Sequence, residues 1–324
     1  MNEKKYDVVA LGELLIDLTE NGLSAQGNPL MEANPGGAPC NVLSMLSNLS
    51  HPTAFIGKVG NDGFGKMLAK TIKEQGIDDS GLKYDEEIPT TLALVLRLAN
   101  GDRDFAFYRN PGADCNLAKD EVNTSLIELA KIFHFGSLSF TNEKVAEASK
   151  YALEVAKKNN CIISFDPNLR EPLWKTLDDA HRQIAYGLQQ CDVLKISDNE
   201  IQWFTGKEDF DEGVEVLKEQ YPNIRLICLS MGSDGSRAYY GDVSVEVSAF
   251  KHDEVVDTTG AGDTFMACVL HDVLVNGLEN RTLDSLYNML VFANAAASLV
   301  TKRKGALKVM PKIEDIQEMI GEQE

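Results

Sequence analysis

The sequence predicts an α/β fold: a doubly wound, mostly parallel sheet flanked by helices, with a small β unit inserted into it. Three observations carry this expectation. Short apolar runs alternate with amphipathic stretches along most of the chain, the rhythm of parallel strands joined by helical crossovers. The C-terminal third is rich in Ala, Leu, Val and Met at helical spacing. One pair of strand-like runs breaks the rhythm around Asn100-Gly101, a hairpin dipeptide whose residues both tolerate positive φ.

The short runs at 8–11, 54–56, 132–135, 162–165, 193–196 and 226–229 are apolar at most positions rather than alternating and read as buried strands, as strands covered on both faces require. Between them, 143–158 and 209–219 carry helical periodicity, and 262–277 and 283–301 extend it toward the C-terminus. Residues 91–98 and 103–108 flank the Asn-Gly turn, and the Gly/Asn/Pro-rich stretch 21–36 fits no strand–helix unit. The expected division is therefore a core of 1–17, 37–90 and 112–324, with 18–36 and 91–111 forming a β lid and dimer interface. Leu92, Leu94, Leu96 and Leu98 give that hairpin one apolar face, which a two-stranded sheet does not leave exposed to water.

At 324 residues the chain is long enough to bury a large core, and 44% hydrophobic with 25% charged residues excludes wholesale disorder. Lys and Arg total 31 against 50 Asp and Glu, a net charge of −19 that excludes a general nucleic-acid binder. A local basic pocket for a nucleotide remains compatible with it. Six dispersed cysteines form no C-x-x-C and no short disulfide framework, so reduced thiols in a cytoplasmic protein are expected. The polar start and the early Glu13 and Asp17 do not read as a secretion signal, and no membrane span is expected.

The most informative stretch is Asp257-Thr-Thr-Gly260-Ala261-Gly262-Asp263, which opens the apolar helix beginning at 262. Small residues at 260–262 let a ligand approach the backbone, and a helix start offers unpaired N–H groups and the positive dipole end to a phosphate. Asp263 in the first turn is placed to take a hydroxyl proton. Pro35-Gly36-Gly37-Ala-Pro-Cys-Asn41 precedes a second helix at 42–49; its glycines admit a compact polar ligand and Asn41 both donates and accepts. Phe165-Asp-Pro-Asn-Leu-Arg170 ends a buried strand at its carboxyl end, where ligands sit in open α/β sheets. Gly60 to Lys66 has the spacing of a phosphate-binding P-loop, but Met67 replaces the required metal-binding hydroxyl, so a strand-to-helix turn is expected. The five histidines show no zinc-binding spacing.

Together these motifs resemble the ribokinase-like, phosphofructokinase-B type sugar kinases over essentially the whole chain, and within them the fructokinases. Gly12-Glu-Leu-Leu-Ile-Asp17, Phe107-Tyr-Arg-Asn-Pro-Gly-Ala-Asp114, Lys195-Ile-Ser-Asp-Asn-Glu200 and Phe292-Ala-Asn-Ala-Ala-Ala297 add to the likeness. The resemblance implies ATP-dependent phosphorylation of a sugar's terminal hydroxyl, D-fructose first and 2-keto-3-deoxygluconate as the rival, with a catalytically silent sugar sensor as the distant third. It makes Asp263 the base and Gly260, Ala261 and Gly262 the anion hole. Asp17, Gly36, Gly37, Asn41, Arg109 and Arg170 fall on sugar positions. Lys195, Glu200, Ser230, Gly232, Gly235 and Asn294 fall on nucleotide positions, Glu200 also organising water around Mg²⁺. Asp257, Thr259, Arg303 and Gly305 match the place of a K⁺ ion, although Val309 stands where ribokinases supply a serine. Ser197 likewise replaces the asparagine that starts the family's Asn-x-x-Glu motif. The implied partners are a sugar and ATP, with a second copy of the chain.

Overall fold

A computed structural model describes residues 3–97, 103–252 and 254–322. The chain opens with β1 (Tyr6–Leu11), and β2 (Leu15–Leu23) and β3 (Pro29–Gly36) then leave the main sheet as an antiparallel pair. α1 (Ala38–Asn48) returns to β4 (Thr53–Gly60), and α2 (Gly63–Glu74) leads to β5 (Ile77–Asp85). β6 (Leu92–Arg97) and β7 (Arg103–Tyr108) rejoin β2. Then come α3 (Thr124–Glu128), β8 (Ala130–Gly136), α4 (Glu143–Lys158), β9 (Ile162–Asp166), α5 (Leu177–Gln190) and β10 (Val193–Ser197). α6 (Asp198–Thr205) and α7 (Phe210–Gln220) precede β11 (Leu226–Ser230), the hairpin β12 (Ser236–Tyr240) and β13 (Val243–Val247). α8 (Ala261–Asn276), α9 (Leu283–Val300) and α10 (Ile313–Gly321) finish the chain.

Among the described residues the main sheet has nine strands in the order β13-β12-β11-β10-β9-β8-β1-β4-β5, parallel from β11 to β5 and antiparallel at β12 and β13. Alternate residues of each strand enter opposite helical layers, as the two-residue period of a strand dictates. Val8, Ala10, Ile132, Val193, Leu226 and Cys228 pack toward α1, α8 and α9. Val9, Leu11, Phe133, Leu194, Ile227 and Leu229 pack toward α4, α5 and α7. This is the doubly wound sheet of the ribokinase-like fold, with a second sheet in the order β3-β2-β6-β7.

Several boundaries differ from the expectation. β5 carries few apolar residues, and β12 and the edge strand β13 are short, so none of them stands out as an apolar run. α1 starts at Ala38 rather than residue 42, because Gly37 takes φ 122° and Pro39 occupies the first turn, where a missing N–H costs nothing. Asn41 is therefore helical, not a loop residue. α9 is long and apolar enough to cross a membrane by length and composition, but half of it is buried inside this chain. The expected turn at 99–102 lies outside the described residues, as does Leu98.

The segment from Gly60 to Lys66 is a strand-to-helix turn. Asp62 caps α2, accepting from Gly65 N at 2.7 Å, and also from Thr90 N and Oγ1 at 2.8 Å each. Replacing Asp62 with Ala is expected to cost about 1–3 kcal/mol of stability in denaturant titrations. Nucleotide affinity should not change; a tenfold loss (about 1.4 kcal/mol) would return this turn to the ligand site.

Candidate active site

The carboxyl ends of β1, β9, β10 and β11 open into a cavity of about 490 Å³, roofed by one face of the second sheet. Strand alternation and register select that face: Leu15, Asp17 and Thr19 of β2 point inward, with Ala93 and Val95 of β6 and Phe107 of β7 beside them. The floor is the start of α8. Gly260 sits there in the left-handed region at φ 81°, and a Cβ on it would lie 2.5 Å from the Ala306 methyl. Glycine is required at that position by conformation and by space. The next N–H groups, at Ala261 to Asp263, begin the helix with no intrahelical acceptor below them; that of Ala261 reaches Thr258 O at 3.3 Å.

Asp263 is 9% exposed and lines the cavity. Its Oδ2 accepts from Asn41 Nδ2 at 2.7 Å, joining the starts of α1 and α8. Burial pushes the Asp263 carboxyl up from its ordinary value, opposed by the Asn41 hydrogen bond and by the charges of Lys195 and Arg170. Asn41 Oδ1 is buried with no partner. A buried amide oxygen without a donor costs free energy, and Asn41 is among the residues that line the cavity. Asp17 faces the same space, its carboxyl pushed up to about 7 by burial against the opposing charge of Arg170. Gly37 lines the cavity, and a Cβ on it would strike the Glu13 carbonyl; Gly36 lies behind, where a Cβ would strike the Asp17 carboxyl. Glu13 went unrecognised in the sequence. It is 4% exposed, accepts from Ala38 N at 2.9 Å, and its carboxyl is pushed up to about 7 by burial.

On the nucleotide side, Lys195, Glu200, Ser230 and Gly232 line the cavity. Ser197 and Glu200 form a capping box at the start of α6, and Glu200 Oε1 also accepts from Leu169 N at 2.7 Å. Serine and asparagine are equivalent helix caps, so the departure from asparagine leaves the Glu200 carboxylate fixed. Gly235 and Asn294 do not line the cavity. Gly235, at φ 112°, fits against the Val247 carbonyl, and Asn294 is 6% exposed, accepting from Ser236 Oγ at 2.8 Å and donating to Val247 O at 3.0 Å. They support the Gly232–Asp234 turn from behind, because every polar atom of the Asn294 amide is engaged within the protein.

Arg109 also sits elsewhere than expected. It is 8% exposed and does not line the cavity. Its guanidinium pairs with Asp114 Oδ2 at 2.6 Å and donates to Thr141 Oγ1 at 2.8 Å and Leu138 O at 3.0 Å. Thr91 Oγ1 completes the Asp114 carboxylate at 2.5 Å. The cluster pins the roots of β6 and β7 to the loop after β8. Arg170 lines the cavity, and Asp166 of the same segment pairs with Lys195 rather than with Arg170.

Asp257 ties two loops, accepting from Thr259 N at 3.0 Å, Thr259 Oγ1 at 2.7 Å and Gly305 N at 3.1 Å. Asp257 and Thr259 line the cavity and Arg303 does not. Among the described residues no cluster of three His, Cys, Asp or Glu side chains would hold a metal ion. A divalent ion here fits only through ligand phosphates and water, which is how magnesium is commonly held, with Glu200 able to orient that water through its remaining lone pairs.

The geometry is that of a phosphoryl-transfer site: a carboxylate at a helix start, a polar cavity on one side and a Gly-rich turn on the other. Residues 5–313 match the model of the pfkB family carbohydrate kinases, and the chain belongs to that family of phosphotransferases with an alcohol acceptor. It is 40% identical over 311 residues to a protein named "Probable fructokinase-2" from Arabidopsis thaliana, covering 95% of this chain and 94% of that one. It is 38% identical over 315 residues to fructokinase-1 of Zea mays, covering 97% of each. The crystal structure of a Xylella fastidiosa fructokinase with bound ATP superposes with a TM-score of 0.88 at 27% identity, covering 98% of both chains. A double mutant of the Vibrio cholerae O395 fructokinase, with fructose, ADP and potassium bound, gives 0.86 at 27% identity, covering 99% of this chain and 100% of that one.

Removing Arg109 is expected to act on folding before it acts on sugar binding. Arg109→Met leaves the Asp114 carboxylate buried and unpaired, a loss of about 3–5 kcal/mol. The Arg109→Met/Asp114→Asn double variant should lose less than the sum of the two single losses in denaturant titrations. A fully stable Arg109→Met protein with a raised sugar KM would return Arg109 to the sugar pocket.

Proposed function

We propose that this kinase transfers the γ-phosphoryl group of ATP to the terminal hydroxyl of D-fructose, giving fructose 6-phosphate. The observation that carries the reading is the Asn41–Asp263 pair lining the cavity, one partner with a buried, unsatisfied amide oxygen and the other a buried carboxylate at a helix start. Asp263 takes the proton of the attacking hydroxyl. That oxygen forms its bond to the γ-phosphorus as the bond to the β-bridging oxygen breaks, and ADP leaves with the electron pair. The N–H groups at Gly260, Ala261 and Gly262 receive charge on the equatorial oxygens, the main task in phosphoryl transfer. Magnesium supplies neutralisation of the phosphate charge when bound, with Glu200 orienting its water shell. Asp257, Thr259 and Gly305 frame the loops beside the anion hole where a monovalent cation would meet hard oxygen donors.

Two observations support a neutral ketose over the 2-keto acid. Arg109, one of the two cations an acid substrate would need, is spent on Asp114. Glu13 and Asp17 line the same cavity, where carboxyl groups disfavour a substrate carboxylate. The second sheet acts as the lid that keeps water from competing for the phosphoryl group. Its outer face, with Leu18, Leu92 and Leu94 partly buried and Tyr108 64% exposed, is the surface a second copy covers. Sedimentation at micromolar concentration is expected to give a dimer that Leu94→Asp weakens; a monomeric unmodified protein would contradict it.

Coupled ADP-release assays should give a higher kcat/KM for fructose than for 2-keto-3-deoxygluconate, ribose or adenosine, and the reverse order would reassign the sugar. Asp263→Asn should lower kcat by at least ~10², the scale of general base catalysis, with nucleotide affinity retained. If Asp263 only complements the helix dipole, worth about 0.3–1 kcal/mol, the variant would be slightly less stable and nearly fully active.

A further inference from the structure

Four non-glycine residues among those described take the left-handed backbone region: Ser50, Asn160, Asn168 and Asn280. Ser50 and Asn160 close the C-terminal ends of α1 and α4, the usual place for such a residue, and Asn280 lies in the turn between α8 and α9. Asn168 instead follows a strand, lines the cavity and has φ 45°. The chain before it is fixed. Asp166 ends β9 with its carboxylate on Lys195, Pro167 has its φ locked by its ring, and the Pro167 carbonyl accepts from Ser137 N at 3.3 Å. The reversal therefore falls on residue 168, where asparagine tolerates positive φ and most side chains do not. The residue after it touches two side chains of the cavity. The Leu169 N–H donates to Glu200 Oε1 at 2.7 Å, and the Leu169 carbonyl accepts from the Arg170 guanidinium at 3.0 Å. Glu200 Oε2 is already engaged by Ser197 N at 2.8 Å, so the Leu169 N–H sets the carboxylate's other oxygen. Arg170 is a cation whose charge acts on both Asp17 and Asp263.

We infer that Asn168 is a positioning residue: its left-handed backbone aims the Leu169 backbone groups at Glu200 and Arg170, and so sets both side chains at the cavity. The inference rests on the kinase reading and on Glu200 orienting magnesium's water, not on which sugar is used. A backbone outlier persists at a cavity only when its surroundings hold it there. Here Pro167 holds it on one side and the Leu169–Glu200 bond on the other. A residue that returns to negative φ swings the chain beyond it, and the Leu169 N–H leaves the carboxylate. Glu200 then keeps the Ser197 bond alone, and its released oxygen samples other orientations. Losing an outer-shell partner of this kind costs ~10- to 100-fold in metal affinity or activity.

The test sets glycine against alanine at this position in the full chain, with denaturant titration of each variant. Glycine keeps the left-handed backbone without the amide, and alanine gives up both. Calorimetry of a non-hydrolysable ATP analogue with and without Mg²⁺ reads the Glu200 side without turnover. In Asn168→Ala the affinity gained from Mg²⁺ should fall about 10-fold, with Mg²⁺-free affinity unchanged. Sugar KM should rise about 10-fold in the same variant, the cost of a slightly misplaced Arg170. Asn168→Gly should match the unmodified protein in both measurements. In a Glu200→Ala background, Asn168→Ala should take nothing further from the Mg²⁺ gain. Should Asn168→Ala fail to fold, the glycine variant still decides, because an amide acting on a ligand would be lost from it. Losses in Asn168→Gly, a full Mg²⁺ gain in a folded Asn168→Ala protein, or multiplying losses in the Glu200→Ala background would each overturn the inference. A Mg²⁺ gain missing from the unmodified protein would instead overturn the reading of Glu200. Failure of fructose as a substrate with these patterns intact on another sugar would overturn only the sugar assignment.

Discussion

The hydrogen bond between Asn41 and Asp263 spans 222 residues of sequence and joins the first turns of two helices on the same side of the sheet. Each helix start is pressed into place by glycines that tolerate no side chain, Gly37 against the Glu13 carbonyl and Gly260 against Ala306. The carboxylate is thereby held where helix N–H groups converge and water is scarce. Burial raises its proton affinity, and the Asn41 donor with the charges of Lys195 and Arg170 opposes that rise. In the proposed reaction sugar recognition and chemistry share this junction, because the same amide holds a second, unpartnered oxygen.

The rest of the fold serves to bring these groups to one edge. Seven parallel strands end on the same side, so residues just past β1, β9, β10 and β11 face one cavity. The second sheet closes over it, and the buried cluster of Thr91, Arg109, Asp114 and Thr141 anchors that sheet's roots to the loop carrying Leu138. A polar cluster at the junction, rather than an apolar one, fixes a single geometry between the sheets, since each member is satisfied only in that arrangement.

Much of this was legible in the sequence for physical reasons. Strands buried on both faces read as mostly apolar runs, and 8–11, 132–135 and 226–229 fell where expected. β5, β12 and β13 did not, because their residues are mostly polar or short of apolar neighbours. At the site, the glycine pairs beside Asn41 and Asp263 stood out because small residues at a helix start let a ligand approach its unpaired N–H groups. Arg109 and Asn294 were misplaced because a sequence does not say whether a polar side chain finds its partner in a ligand or in the protein. For Arg109 the signal was Asp114 five residues on.

The central claim is that Asp263 acts as base with an affinity for protons set by burial against the Asn41 hydrogen bond. Its most direct test is the acid limb of the kcat profile for the unmodified enzyme and for Asn41→Leu. Removing a donor that favours the ionised carboxylate raises its pKa, so the limb should move to higher pH in the variant while Asp263→Asn shows no such limb at all. An acid limb that stays in place when Asn41 is removed, or that persists in Asp263→Asn, would contradict the account.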